Sequence, residues 1–164
     1  MADLRLRRAT VADIPTLQLW DQAPHVVDVS GDDGPWDWAR EIDVSWQEVW
    51  ICEVEGRAVG VVLLLDAYRE PSHYWGDVSP GTFAIDIWIG EVDALHRGYG
   101  TQMMRHAIDR AFGEHGGCQI LIDPLETNAP AIGFYKHMGF DVVGPRRFGT
   151  DDCVVLAMRP PSGE

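Results

Sequence analysis

The chain is short of basic residues. Thirteen lysines and arginines stand against 26 aspartates and glutamates, for a formal net charge of −13. A phosphate backbone requires a basic face, so nucleic acid is not an expected partner. The same acidic field draws a cationic small molecule, although it serves plain solubility equally well. Long apolar runs are also lacking. The longest, Ala58 to Leu65, has the length of a strand and not of a bilayer span, so no membrane partner is expected. The opening MADLRLRRAT has no apolar segment of the secretory kind, which leads to the expectation of a cytoplasmic protein. Cysteine is scarce: Cys52, Cys118 and Cys153 form no CxxC pair and each lies in an apolar, strand-like run. They read as small buried side chains in a reducing compartment. The six histidines fall into neither HxxxH nor HExxH spacing, so no metal site is expected.

What is present suits one domain over residues 1–164, as a monomer or homodimer. A chain of this length buries roughly two-thirds of its unfolded surface on folding, and its hydrophobic share of 46% is that of a globular protein. Repeats, low-complexity tracts and linkers are missing. Leu4 to Arg7 reads as a strand. Thr10, with Asp13 three residues on, reads as the cap of a helix over Val11 to Trp20. Ala23 to Pro35, rich in Pro, Gly and Asp, reads as a loop, and Trp36 to Trp46 carries a helical spacing. Val49 to Val54 and Ala58 to Leu65 flank Glu55-Gly56 as a hairpin. Glu70 to Gly81 is a polar, aromatic loop. From Phe83 to Ile89, Phe83, Ile85, Ile87 and Ile89 alternate with Ala84, Asp86 and Trp88, the signature of a strand with two distinct faces. A helix follows Gly100, with Met103, Met104, Ala107, Ile108 and Ala111 as its apolar positions. Cys118 to Ile122 is a short strand and Asn128 to His137 a helix ending at Gly139. Phe140 to Val143 and Cys153 to Met158 close the chain as strands. This order predicts one mixed α/β sheet.

Two motifs carry chemistry. Arg97-Gly98-Tyr99-Gly100-Thr101 sits between a strand and a helix. Its glycines let the backbone approach a ligand without a Cβ in the way, and the helix start offers unpaired N–H groups and partial positive charge. That is a cradle for a pyrophosphate, although such loops also serve as simple turns. Thirty residues after Gly98 begins Asn128-Ala129-Pro130-Ala131-Ile132-Gly133-Phe134-Tyr135-Lys136-His137-Met138-Gly139-Phe140.

In these two motifs the sequence resembles the GNAT acetyltransferase superfamily. Leu95 to Gly100 aligns with its coenzyme A loop, Q/R-x-x-G-x-G/A, and Asn128 to Phe140 with its N-x-x-A-x-x-x-Y-x-x-x-G-F segment. Leu95 departs from the usual polar first residue, and Arg97 is a substitute source of charge. Phe83-Ala84-Ile85-Asp86 and Asp123-Pro124 further resemble the aminoglycoside 6'-N-acetyltransferases. His25-Val26-Val27-Asp28 and Tyr74-Trp75-Gly76-Asp77 fit that pattern more loosely. Acetyltransferases acting on siderophore precursors and other small amines share the general layout.

The resemblance implies a GNAT α/β (α+β) fold: one mixed, strongly twisted sheet with flanking helices and two central parallel strands that splay. It implies acetyl-coenzyme A as cosubstrate, no metal, and a small cationic amine as acceptor. Ile87, Trp88, Ile89, Arg97, Gly98, Tyr99, Gly100, Thr101, Asn128 and Tyr135 would hold the cosubstrate, with backbone N–H groups around Ile87 to Ile89 facing the oxyanion. A primary amine with pKa ~10 arrives as an ammonium and must lose a proton before it can attack. Asp86 and Asp123, at neighbouring strand ends, would hold the cation and take its proton. Alternatively, Asp86 faces outward from a half-exposed strand, and Asp123 merely opens a turn before Pro124. Tyr135 matches the family tyrosine that protonates the leaving thiolate, or else packs beside Phe134. Asn128 would hold the pantetheine arm, cap its helix, or both. Trp36, Trp75 and Asp77 are expected in the acceptor cleft, with Trp88 beside it, while Trp20, Trp38 and Trp46 read as core. Two other readings stay open, a different small amine as acceptor (a polyamine or siderophore precursor) and a non-catalytic coenzyme A-binding domain.

Overall fold

The computed structural model describes residues 3–30 and 36–161. Seven strands form a single sheet in the order β1-β2-β3-β4-β5-β7-β6. They are β1 (Leu4–Arg8), β2 (Gln47–Val54), β3 (Arg57–Asp66), β4 (Thr82–Ile89), β5 (Gln119–Ile122), β6 (Asp141–Phe148) and β7 (Asp151–Met158). The pair β4 and β5 runs parallel, and the other neighbours run antiparallel. The helices are α1 (Ile14–Asp21), α2 (Pro24–Val27), α3 (Trp38–Asp43), α4 (Tyr99–Asp109) and α5 (Ala129–Met138).

The mixed sheet follows from local rules. Glu55 and Gly56 both take positive φ, the backbone that a two-residue hairpin needs, and β2 and β3 close around them. Thr10 is a cap as expected, and with the Asp13 carboxylate it forms a full capping box, but the box opens a 3₁₀ turn (Val11–Asp13) before α1 begins with Pro15 in its first turn. The loop expected over Ala23 to Pro35 contains the short α2; residues 31–35 lie outside the described residues. The helix expected over Trp36 to Trp46 is confined to α3, capped by Asp37 and stopped where Val44 turns extended. At the far edge, β6 runs five residues beyond the expected Val143. A bulge at Gly144 and the place of Pro145 on an edge strand, where a missing N–H costs no ladder bond, make this possible. Cys52 and Cys153 are buried, whereas Cys118 precedes β5 and is exposed, contrary to the burial expected for all three.

The alternation in β4 sorts the core. Phe83 and Ile85, with Ile87 and Ile89 beside them, join a cluster under α4 and α5 that includes Met103, Met104, Ala107, Ala111 and Tyr135. The other face carries two separate clusters. Trp88 packs on one, built around Leu17, Trp20, Trp38, Ile51 and Leu63. Ala84 belongs to the second, with Ala67, Trp75 and Val155. Asp86, midway between Ala84 and Trp88 on that face, marks the gap between the two clusters.

Candidate active site

The parallel pairing of β4 with β5 spans three residue pairs and ends at Ala84 opposite Leu121. From there β4 continues to Ile89 beside β3 alone, while β5 stops at Ile122 and β7 lies along its other side. The two central strands therefore diverge. The ladder between β3 and β4 fixes which backbone groups meet the opening. The Ala67 N–H bonds the Thr82 carbonyl (2.9 Å) and the Gly90 N–H bonds the Val59 carbonyl (2.8 Å), so even-numbered residues face β3. Ile85, Ile87 and Ile89 then turn their backbone groups toward the gap, whereas the Trp88 backbone faces β3. The Ile89 carbonyl accepts a hydrogen bond from His25 Nε2 at 2.8 Å, which ties α2 to the end of β4.

Beyond β4 the chain reaches the glycine loop. Gly98 is the N-cap of α4 with φ +82°, a left-handed backbone that favours glycine, and open space surrounds its missing Cβ. Among the described residues no side chain caps this helix, so the N–H groups of its first turn are open to a ligand. The face of α4 that carries Met103, Met104 and Ala107 is buried, which anchors the loop rigidly. Arg97 is exposed, with its Nε on the Asp93 carbonyl at 2.8 Å, and Tyr99 packs partly into the core. An uncapped helix start, a glycine in left-handed backbone and the opened β4 edge together fit a pyrophosphate continued by an extended amide-bearing arm. Gly100 has ordinary backbone, and a Cβ there would meet only Phe134 Cζ at 3.8 Å. Gly100→Val should therefore fold normally while its side chain fills the cradle. The expected result is a dissociation constant for acetyl-coenzyme A raised at least about tenfold by calorimetry, and unchanged affinity would refute this cradle.

The gap between the two clusters is a cleft of about 620 Å³. It gathers Asp86, Asp123, Asn128 and Tyr135 with Trp36, Trp75 and Trp88. Asp86 comes from the middle of β4, Asp123 from just past the end of β5, and Tyr135 from α5, so the divergence of the strands is what brings them together. Asn128 caps α5, its side-chain oxygen accepting from the Ala131 N–H at 3.3 Å. Tyr135 is 8% exposed. Burial, reinforced by the Asp86 and Asp123 carboxylates, pushes its phenol well above the usual tyrosine value, so it keeps its proton. Trp36 stacks on Trp38 (centroids 5.3 Å, planes 17° apart) and leans on Trp88, forming an aromatic wall.

Asp77 is not among the lining residues and is exposed, because Trp75 turns into its own cluster and Gly76, with φ +76°, redirects the chain. Trp46, read from sequence as core, is half-buried and lines the cleft. Sequence reading passed over Asp37, Glu41, Glu70, Tyr74 and Asp151, all of which line it. Charge is the signal shared by all of these but Tyr74: among the described residues, six carboxylates and one guanidinium, Arg40, line this space. Among the described residues, no group of three or more His, Cys, Asp or Glu is placed to hold a metal ion, and no helix is long and apolar enough to cross a membrane.

Comparison with known proteins decides the family. The family profile described as Acetyltransferase (GNAT) domain matches residues 9–148. The chain belongs to the GNAT acetyltransferase family. It is thus an acetyl-coenzyme A-dependent N-acetyltransferase with the mixed sheet of that fold. Over 149 residues it is 24% identical to the aminoglycoside N(6')-acetyltransferase type 1 of Klebsiella pneumoniae, covering 85% of this chain and 74% of that protein. The Serratia marcescens enzyme of the same name matches equally. Among solved structures, aminoglycoside acetyltransferase AAC(6')-Ib in complex with coenzyme A superposes with a TM-score of 0.83 at 22% identity, covering 96% of this chain and 95% of that one. A spermidine N-acetyltransferase chimera from Vibrio cholerae and hSSAT gives 0.74 at 15% identity, covering 95% of each.

Proposed function

We propose that this GNAT domain acetylates an amine of a small polycationic amino sugar of the aminoglycoside kind, at the 6'-amine, using the cleft between β4 and β5. The observation that carries this reading is the charge of the cleft, six carboxylates against one guanidinium among the described residues, with Asp86 and Asp123 beside a protonated Tyr135. A polycation satisfies such a lining, whereas a neutral or anionic acceptor would leave several carboxylates desolvated without partners. The aromatic wall of Trp36 and Trp88 suits the apolar face of a sugar ring or an ammonium. Both curated relatives carry aminoglycoside 6'-acetyltransferase names, which supports the same class.

In this reading the chain's own groups act in sequence. Asp123 and Asp86 bind the ammonium. Asp86 accepts the proton that leaves it, directly or through water. The free amine attacks the thioester carbonyl, whose oxygen is met by the β4 N–H groups turned into the opening, those of Ile87 and Ile89. Tyr135 gives its proton to the departing thiolate. Transfer is direct, since none of the cysteines lines the cleft in a way that suggests an acyl carrier: Cys153 touches it but is buried.

Thiol release from acetyl-coenzyme A over an amine panel tests the acceptor class. Kanamycin-like aminoglycosides should be turned over with higher kcat/KM than spermidine, lysine or hydroxylysine. Their KM should rise with added salt, because part of the attraction is long-range and is screened over about 10 Å at 0.1 M. Acetylation of a simple amine with no turnover of any aminoglycoside would refute the acceptor class and leave the acetyltransferase in place.

A further inference from the structure

One contact in the cleft joins residues far apart in the chain. The Tyr74 hydroxyl donates to Asp123 Oδ2 at 2.5 Å, across 49 residues. Tyr74 lies in the 67–81 loop, where regular structure is absent, yet it is held on three sides. Its N–H bonds Glu70 Oε1 at 3.1 Å, and the same carboxylate accepts the Ser72 N–H (2.6 Å) and the Ser72 hydroxyl (2.8 Å). Glu70 is itself buried. Burial opposes its ionisation, but the Ser72 and Tyr74 donors prevail and hold its carboxyl below the usual range. The Tyr74 ring stacks on Phe148 at the end of β6, with centroids 4.6 Å apart and planes within 6°, and meets Trp75 edge-on.

The other end of the contact lies at a strand end. Asp123 stands past the end of β5, where the strand ladder has finished. Its neighbour Pro124 is held through its carbonyl by the Val154 N–H at 2.9 Å, which fixes the backbone of the corner. A carboxylate offers about four acceptor positions, so a phenol bond to one oxygen helps to orient it and still leaves capacity for an ammonium. A short bond to a charged acceptor is also among the stronger kinds of hydrogen bond.

We propose that Tyr74 is a positioning residue that acts through Asp123: anchored by Glu70 and Phe148, its phenol fixes the Asp123 carboxylate in the orientation that grips the acceptor's ammonium. This rests on the reading of Asp123 as an acceptor anchor. Tyr74→Phe keeps the ring, its stack on Phe148 and its backbone bond to Glu70, and removes the hydroxyl. It should raise acceptor KM about five- to tenfold, the size of one charge-assisted hydrogen bond's orienting effect. It should leave kcat and the Kd for acetyl-coenzyme A within about twofold and the melting temperature unchanged.

A double-mutant cycle with Asp123→Asn decides the matter. In that background Tyr74→Phe should change KM by less than about twofold. An unchanged KM in the wild-type background overturns the proposal, as does an equal rise in both backgrounds, which would mean that Tyr74 acts elsewhere. If Asp123→Asn itself leaves KM unaltered in an active enzyme, the reading of Asp123 falls first and this proposal with it.

Discussion

Tyr135→Phe should lower kcat by about 10²- to 10⁴-fold, the usual cost of removing a general acid, while the Kd for acetyl-coenzyme A stays within about twofold. The substitution keeps the ring, which is 8% exposed and packs edge-on against Phe140, so folding should not suffer. What it removes is a phenol whose environment is arranged to retain its proton. Burial and the two nearby carboxylates raise it above the ordinary value of 10.0. A raised phenol is fully protonated below its ordinary range and remains so as pH climbs through it, so the acid is ready at every pH from neutral to about 10. Loss of activity within that span is therefore not expected from Tyr135, and kcat in the wild type should show no falling limb there. A kcat for Tyr135→Phe within twofold of wild type, measured by thiol release, would reduce Tyr135 to a packing residue.

Asp86→Asn should reduce kcat by a similar order, about 10²-fold or more, and weaken acceptor binding at the same time. The side chain keeps its shape and its capacity to accept a hydrogen bond, but loses both the negative charge and the basic oxygen. Asp86 sits on the face of β4 where Ala84 belongs to one cluster and Trp88 packs on another, so it is the strand's one charged side chain at the floor of the cleft. An amide there offers an ammonium much less and cannot take its proton. A change in KM alone, with kcat intact, would make Asp86 an anchor and place the base elsewhere.

Much of this site was legible in the sequence because it is built from local features. The alternation over Phe83 to Ile89 was readable since each face of β4 meets a different environment, and it singled out Asp86 as the charged residue on an otherwise apolar strand. Gly98 was readable because a left-handed N-cap at φ +82° favours glycine. Tyr135 and Asn128 were readable through a motif whose spacing is set by one helix and its cap. The failures are tertiary. Asp77 was expected in the cleft as part of Tyr74-Trp75-Gly76-Asp77, but the direction of that loop depends on where Trp75 finds its cluster and on the turn at Gly76. Tyr74, next to the expected site residue Trp75, was visible only as part of a motif and given no role of its own, because its partner lies 49 residues away. Glu41, Glu70 and Asp151 come from a helix, a loop and the start of an inner strand, and nothing in their local sequence announces that they face one space. The full length of β6 was hidden by Gly144-Pro145, which reads as a break and is instead a bulge on an edge strand.

The central claim is that the acceptor's ammonium sits between Asp86 and Asp123 in the cleft opened by β4 and β5. Calorimetric titration of a kanamycin-like aminoglycoside into the coenzyme A-loaded protein tests it most directly, with wild type compared against the Asp86→Asn, Asp123→Asn double variant. The account predicts saturable binding by the wild type and a Kd raised at least about a hundredfold in the variant, roughly 2.7 kcal/mol, with coenzyme A affinity preserved in both. Equal aminoglycoside affinity in the two proteins would contradict it.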